Sequence, residues 1–104
     1  MAKAVGLLEV YGLSTALYAI DAACKAADVT VDAIEKNRPP SGPNIPEYPV
    51  PLLLMLKFRG RVADVKFAVD VAIKAADEIA GHGYSSVISN PDDGLEELLD
   101  ITCI

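Results

Sequence analysis

Hydrophobic and polar positions along the chain switch between two periods, and the switches divide it into short segments. Ala4-Val-Gly-Leu-Leu-Glu-Val10 reads as a strand entering a core. Tyr11-Gly12 makes a turn, and Ser14 or Thr15 supplies a cap for the helix after it. Apolar residues at Leu13, Leu17, Ile20, Ala23 and Ala27 keep helical spacing, which predicts a helix over Leu13–Ala27. Val29 to Lys36 sets Val29, Val31 and Ala33 against Thr30 and Asp32, a strand with one wetter face, and Ile34 breaks that alternation. Leu52-Leu-Leu-Met-Leu-Lys-Phe-Arg59 starts as a continuous apolar run, as a strand covered on both faces does. Gly60 ends it.

The longest predicted helix runs from Arg61 to Ala80. It turns Val65, Ala68, Val69, Ala72, Ile73, Ala76 and Ile79 inward, with Asp64, Lys66, Asp70, Lys74, Asp77 and Glu78 mostly outward. Gly81-His82-Gly83 closes it with the expected C-terminal glycine. Tyr84 to Ser89 reads as a fourth strand, Asn90-Pro-Asp-Asp93 as a turn and helix start, and Gly94 to Asp100 as a short last helix. The order is β-α-β, loop, β-α-β, α.

The two halves echo each other. Ala19-Ile-Asp-Ala-Ala-Cys-Lys-Ala-Ala-Asp28 aligns without gaps on Ala68-Val-Asp-Val-Ala-Ile-Lys-Ala-Ala-Asp77. Alanine supplies four of the identities, as two unrelated alanine-rich helices would also do. The Asp21/Asp70, Lys25/Lys74 and Asp28/Asp77 pairs fall in the same register, which favours a duplicated unit. Two right-handed β-α-β units sharing one antiparallel sheet give an α+β, ferredoxin-like layer with both helices on one face and a short C-terminal helix. Small alanine side chains suit close lateral packing and not a roomy polar pocket.

One segment escapes both periods. Six of the seven prolines fall between Pro39 and Pro51. Proline removes a backbone donor and fixes φ, so this stretch joins neither a helix interior nor a central strand. The sequence reads as one domain over residues 1–104, carrying a stiff Pro-rich loop insertion at about 37–51.

Composition then narrows the partners. A chain of 104 residues that is 52% hydrophobic is expected to bury some apolar surface between subunits, although alanine makes up much of the excess. The net charge of −6 comes with singly scattered lysines and arginines, which argues against nucleic acid. The Val50–Leu56 run is too short for a membrane span, and Glu9 interrupts any signal-peptide core, so a cytoplasmic protein is expected. Cys24 and Cys103 form no metal or redox motif and are expected as free thiols, buried or near-terminal. His82 lies at a helix end that favours it without catalysis. Asp92-Asp93 and Glu96-Glu97 match no calcium-loop spacing, and no phosphate loop or nucleophile elbow occurs. The chain is expected to be neither an enzyme nor a binder of metal or cofactor.

Three ordered stretches resemble bacterial microcompartment shell proteins. Ala4-Val-Gly-Leu-Leu-Glu-Val-Tyr-Gly-Leu13 is similar to their opening strand. Asp21-Ala-Ala-Cys-Lys-Ala-Ala-Asp-Val29 and Arg59-Gly-Arg-Val-Ala-Asp-Val-Lys-Phe-Ala-Val69 are similar to two further signatures of that family. The resemblance implies a non-enzymatic subunit of a homo-hexamer that tiles with other shell proteins into the coat of an organelle in the bacterial cytoplasm. It places the segment after the second strand at a central pore for small metabolites, here Asn37, Arg38, Pro39, Pro40, Ser41, Gly42, Pro43 and Asn44. The family's usual short glycine-rich turn is absent, with Ser41-Gly42 as its remnant within an insertion that modifies the pore, and Arg38, Ser41 and Asn44 are the candidate contacts for permeants. Lys25 matches a lysine at the hexamer edge, and Asn90 occupies the place of its usual arginine partner. The loop also resembles the branch that serves glycyl-radical enzymes, without that branch's cluster-binding loop cysteine. The alternative is a trimeric nitrogen-regulatory-type small-molecule sensor with a long loop. It calls for clustered cations that this chain lacks.

Overall fold

The computed structural model describes residues 3–37 and 53–99. In chain order it contains β1 (Ala4–Tyr11), α1 (Leu13–Ala26), β2 (Val29–Asn37), β3 (Leu53–Gly60), α2 (Val62–Asp77) and β4 (His82–Ile88). A 3-10 turn at Asp93–Leu95 leads into α3 (Glu96–Leu99). The strands form one antiparallel sheet in the order β2-β3-β1-β4, the ferredoxin-like arrangement expected of two interleaved β-α-β units.

Alternation along β1 and β3 decides which side carries the helices. Leu8 and Val10 of β1 and Leu54, Leu56 and Phe58 of β3 are fully buried beneath α1 and α2. Each large side chain of this set contributes about 1.5–3 kcal/mol through burial. Gly6 lies in the same row. A β-carbon there would sit 2.7 Å from Val69 Cγ2 and 2.8 Å from Val65 Cγ1, so its bareness is what lets α2 settle onto the sheet.

The two helices pack on each other through alanine. Ala19 and Ala23 of α1 and their counterparts Ala68 and Ala72 of α2 have no exposed surface. Asp21, Lys25, Asp70 and Lys74 are all exposed. The sequence echo thus becomes an equivalence of faces: paired alanines inward, paired charges outward.

Several expectations are corrected in detail. Leu13 and Leu17 are 43% and 55% exposed, and the buried stripe of α1 is instead Thr15, Ala16, Ala19 and Ala23. Alanine's small size hid this choice, because hydropathy weights leucine over the residue that lets two helices approach. Neither Ser14 nor Thr15 caps α1; Gly12 takes the N-cap position, and Thr15 is buried. Ile79 lies beyond the end of α2 and is 54% exposed. Cys24 is exposed and not buried, while Cys103 lies outside the described residues.

Ile34's broken alternation has a local cause. The β2–β3 register shifts between Val31 and Ala33, so that Val31 opposes Phe58 and Ile34 opposes Leu56, both on the helix side. Asp32 is the extra residue of this bulge. At the other end of the layer, Gly81 has φ of 100°, its N–H donates to the Ala76 carbonyl at 2.9 Å, and its carbonyl accepts from Tyr11 N–H at 3.3 Å. The expected glycine therefore stops α2 and ties that end to β1.

Candidate functional site

The Pro-rich loop is bounded by a hydrogen-bonded strand pair. Asn37, the last residue of β2, opposes Leu53, the first of β3. Residues 38–52 therefore leave and rejoin the sheet at one end of adjacent antiparallel strands. Asn37 is placed by its backbone; Arg38, Pro39, Pro40, Ser41, Gly42, Pro43 and Asn44 lie outside the described residues.

Lys25 sits in the last turn of α1, where a cation is favoured by the helix dipole. Its Nζ lies 2.9 Å from Asp21 Oδ2 one turn earlier. The hydrogen bond to that carboxylate, then its charge, raises the lysine's pKa above the ordinary value. The side chain is 75% exposed, so its ammonium is available at the surface. Asn90 is likewise exposed, in the bend after β4. Cys24 precedes Lys25 on the same helix, and partial burial, together with the Asp21 charge, pushes its thiol upward.

Apolar side chains remain uncovered beside these polar groups. Leu13 and Leu17 form a strip on α1. That strip is angularly separated from Tyr18, whose hydroxyl donates to Glu78 Oε2 at 3.3 Å just past α2. Val62 and Phe67 on α2 and Tyr84 on β4 are also exposed. Among the described residues, strands β2 and β4 are the two edges of the sheet. Uncovered strips at different places on one surface are what a head-to-tail assembly requires, because each subunit then offers two unlike patches.

The sheet face away from α1 and α2 carries two buried cations that sequence reasoning did not single out. Lys57 and Arg59 of β3 are 5% and 6% exposed. Lys57 Nζ lies 3.2 Å from Glu35 Oε1. Arg59 Nη2 donates to Glu96 Oε1 at 2.9 Å and to the Lys3 carbonyl at 3.3 Å. Arg59 Nε is 4.0 Å from Asp32 Oδ2, so the β2 bulge brings that carboxylate to the cation. The signal lay in the alternation of Met55, Lys57 and Arg59 against Leu54, Leu56 and Phe58, which the apolar start of the strand obscured.

His82 Nδ1 lies 2.7 Å from Asp77 Oδ1, a pair that joins β4 to the end of α2. Among the described residues, no cluster of three or more His, Cys, Asp or Glu side chains could hold a metal ion. Among the same residues, no helix is long and apolar enough to cross a membrane.

This geometry has counterparts among known proteins. A family model described as the BMC domain matches residues 4–91. The chain is 35% identical over 95 residues to bacterial microcompartment shell protein PduK of Citrobacter freundii, with 91% of the chain and 54% of that protein covered. The chain thus spans about half the length of this curated relative. A crystal structure of a microcompartment protein from Desulfitobacterium hafniense superposes with a TM-score of 0.71 at 18% identity, covering 100% of this chain and 50% of the other. At that identity the likeness establishes the fold.

Proposed function

The chain belongs to the bacterial microcompartment (BMC) domain family, and from that membership we propose that it is a structural shell subunit of such an organelle. The observation that carries this reading is the family match across residues 4–91, which takes in all four strands and both long helices. Membership supports the shell role, a bacterial cytoplasmic location and a structural, non-catalytic task.

The finer reading concerns assembly. One domain over residues 1–104 closes head to tail into a homo-hexamer, and the hexamers join other shell proteins in a layer. The uncovered strip Leu13 and Leu17, with the residues Val62, Phe67 and Tyr84 elsewhere on the surface, supports burial between neighbours. Residues Asn37 to Asn44 gather at the ring axis as a modified pore for small metabolites. The opposition of Asn37 and Leu53 supports this, because the chain leaves the sheet and re-enters it at the same end. Lys25 serves the edge between hexamers, and Asn90 stands opposite in place of an arginine.

Negative-stain electron microscopy of the purified protein tests the proposal. Sixfold rings with density at or around the axis are expected. Threefold particles, or rings whose axis is bordered by α1 and not by the β2–β3 end, would overturn it.

A further inference from the structure

The C-terminal segment from Pro91 to Leu99 begins where the family match ends at residue 91. Among the described residues its apolar anchorage is small: Pro91 and Leu99 are buried, Leu95 is half-buried, and Leu98 is 58% exposed. Its own hydrogen bonds are local, with Asp92 Oδ2 accepting from Gly94 N–H at 2.9 Å and the Asp92 carbonyl accepting from Leu95 N–H at 2.9 Å. What ties it to the sheet is charge. Glu96 Oε1 accepts from Arg59 Nη2 at 2.9 Å, and the Leu98 carbonyl accepts from Lys57 Nζ at 3.5 Å.

Both cations are also served from β2, by Asp32 for Arg59 and by Glu35 for Lys57. Arg59 Nη1 is buried and finds no hydrogen-bond partner among the described residues. A buried donor without a partner carries a desolvation cost that contact with water would relieve. The carboxylates of Asp32 and Glu96 are 38% and 41% exposed, so dissolved ions reach this latch.

We infer that Pro91–Leu99 is a charge-latched strap over the helix-free face of the sheet, which opens when the Glu96–Arg59 pair is screened or neutralised and exposes Lys57 and Arg59 as a cationic strip. A short element with little apolar anchorage lies at the low-stability end of local unfolding. The strap belongs to the folded chain and does not depend on the shell reading.

Amine acylation and peptide mass spectrometry test it, with the exposed Lys66 as internal reference. At low salt, Lys57 should acylate at least about tenfold more slowly than Lys66, as a closed state favoured by about 1.4 kcal/mol requires. Raising salt to about 0.5 M, where the Debye length is only a few ångströms, should bring the two rates within about threefold. Glu96→Gln at low salt should do the same, with circular dichroism confirming a folded chain. Glu35→Gln, which removes the β2 carboxylate beside Lys57, should leave the protection in place. Protection that persists at high salt and in E96Q would make the segment a fixed part of the fold and overturn the strap. Equal release in E35Q would assign the protection to local pairing and overturn it too. Subunit number, read by light scattering on the same samples, reports on the shell assembly separately.

Discussion

Gly6 and Cys24 illustrate how much depends on single positions. A methyl group at Gly6 has nowhere to go, because two valine side chains of α2 already occupy its space. Gly6→Ala is expected to lose about 1–3 kcal/mol by overpacking, seen as a lower urea midpoint at unchanged slope. Cys24 is exposed, yet its thiol is held above the ordinary value by burial and Asp21. A raised thiol pKa means less thiolate at neutral pH and slower chemistry. In a Cys103→Ser background at about pH 8, just below the ordinary thiol range, Cys24 should therefore alkylate more slowly in the folded chain than in urea. Equal rates would contradict the assigned environment. For Lys25 the proposed role lies beyond the protomer. Lys25→Ala should leave rings intact while weakening their association into sheets, and unchanged sheets in electron micrographs would remove it from the edge.

The elements show where sequence reading succeeds and where it stops. The four strands and two long helices are legible from hydrophobic patterning, and Val65, Val69 and Ala76 fix the inward face of α2, while the apolar run of β3 leaves its face open. Reading α1 by hydropathy fails, because the element packs through Ala16, Ala19 and Ala23 and leaves Leu13 and Leu17 outside. Burial within one protomer is blind to surfaces that another subunit covers, and a hydrophobic pattern counts both kinds alike. The bulge at Asp32 and the buried cations of β3 are tertiary facts. A carboxylate on a neighbouring strand or in a distant segment decides whether a lysine can be buried, and spacing does not carry that information. The candidate pore was legible only as a proline-rich interruption and a family likeness. Deleting Pro39–Pro49 shortens the β2–β3 connection, and loop-closure entropy changes slowly with length, so stability should shift by no more than about 1 kcal/mol. Thermal unfolding of the deletion variant checks this; collapse of the fold would make the loop a structural clasp. In intact rings the same deletion should change conductance at the axis without changing subunit number.

For the whole molecule, a two-layer protomer is proposed as the repeating unit of a ring. Family membership supports the shell role, while among the described residues the exposed leucines of α1 and the sheet edges β2 and β4 are the surfaces on which the proposed neighbours would close. The acidic balance of −6 favours solubility of such a particle and leaves the scattered cations to local tasks: Lys25 at the surface, Lys57 and Arg59 beneath the C-terminal segment.

Light scattering coupled to size-exclusion chromatography measures ring closure most directly, by weighing the particle that protomers of 11.0 kDa form in solution. Six protomers per particle are expected, held over a wide concentration range. A stable trimer or a monomer would contradict the ring.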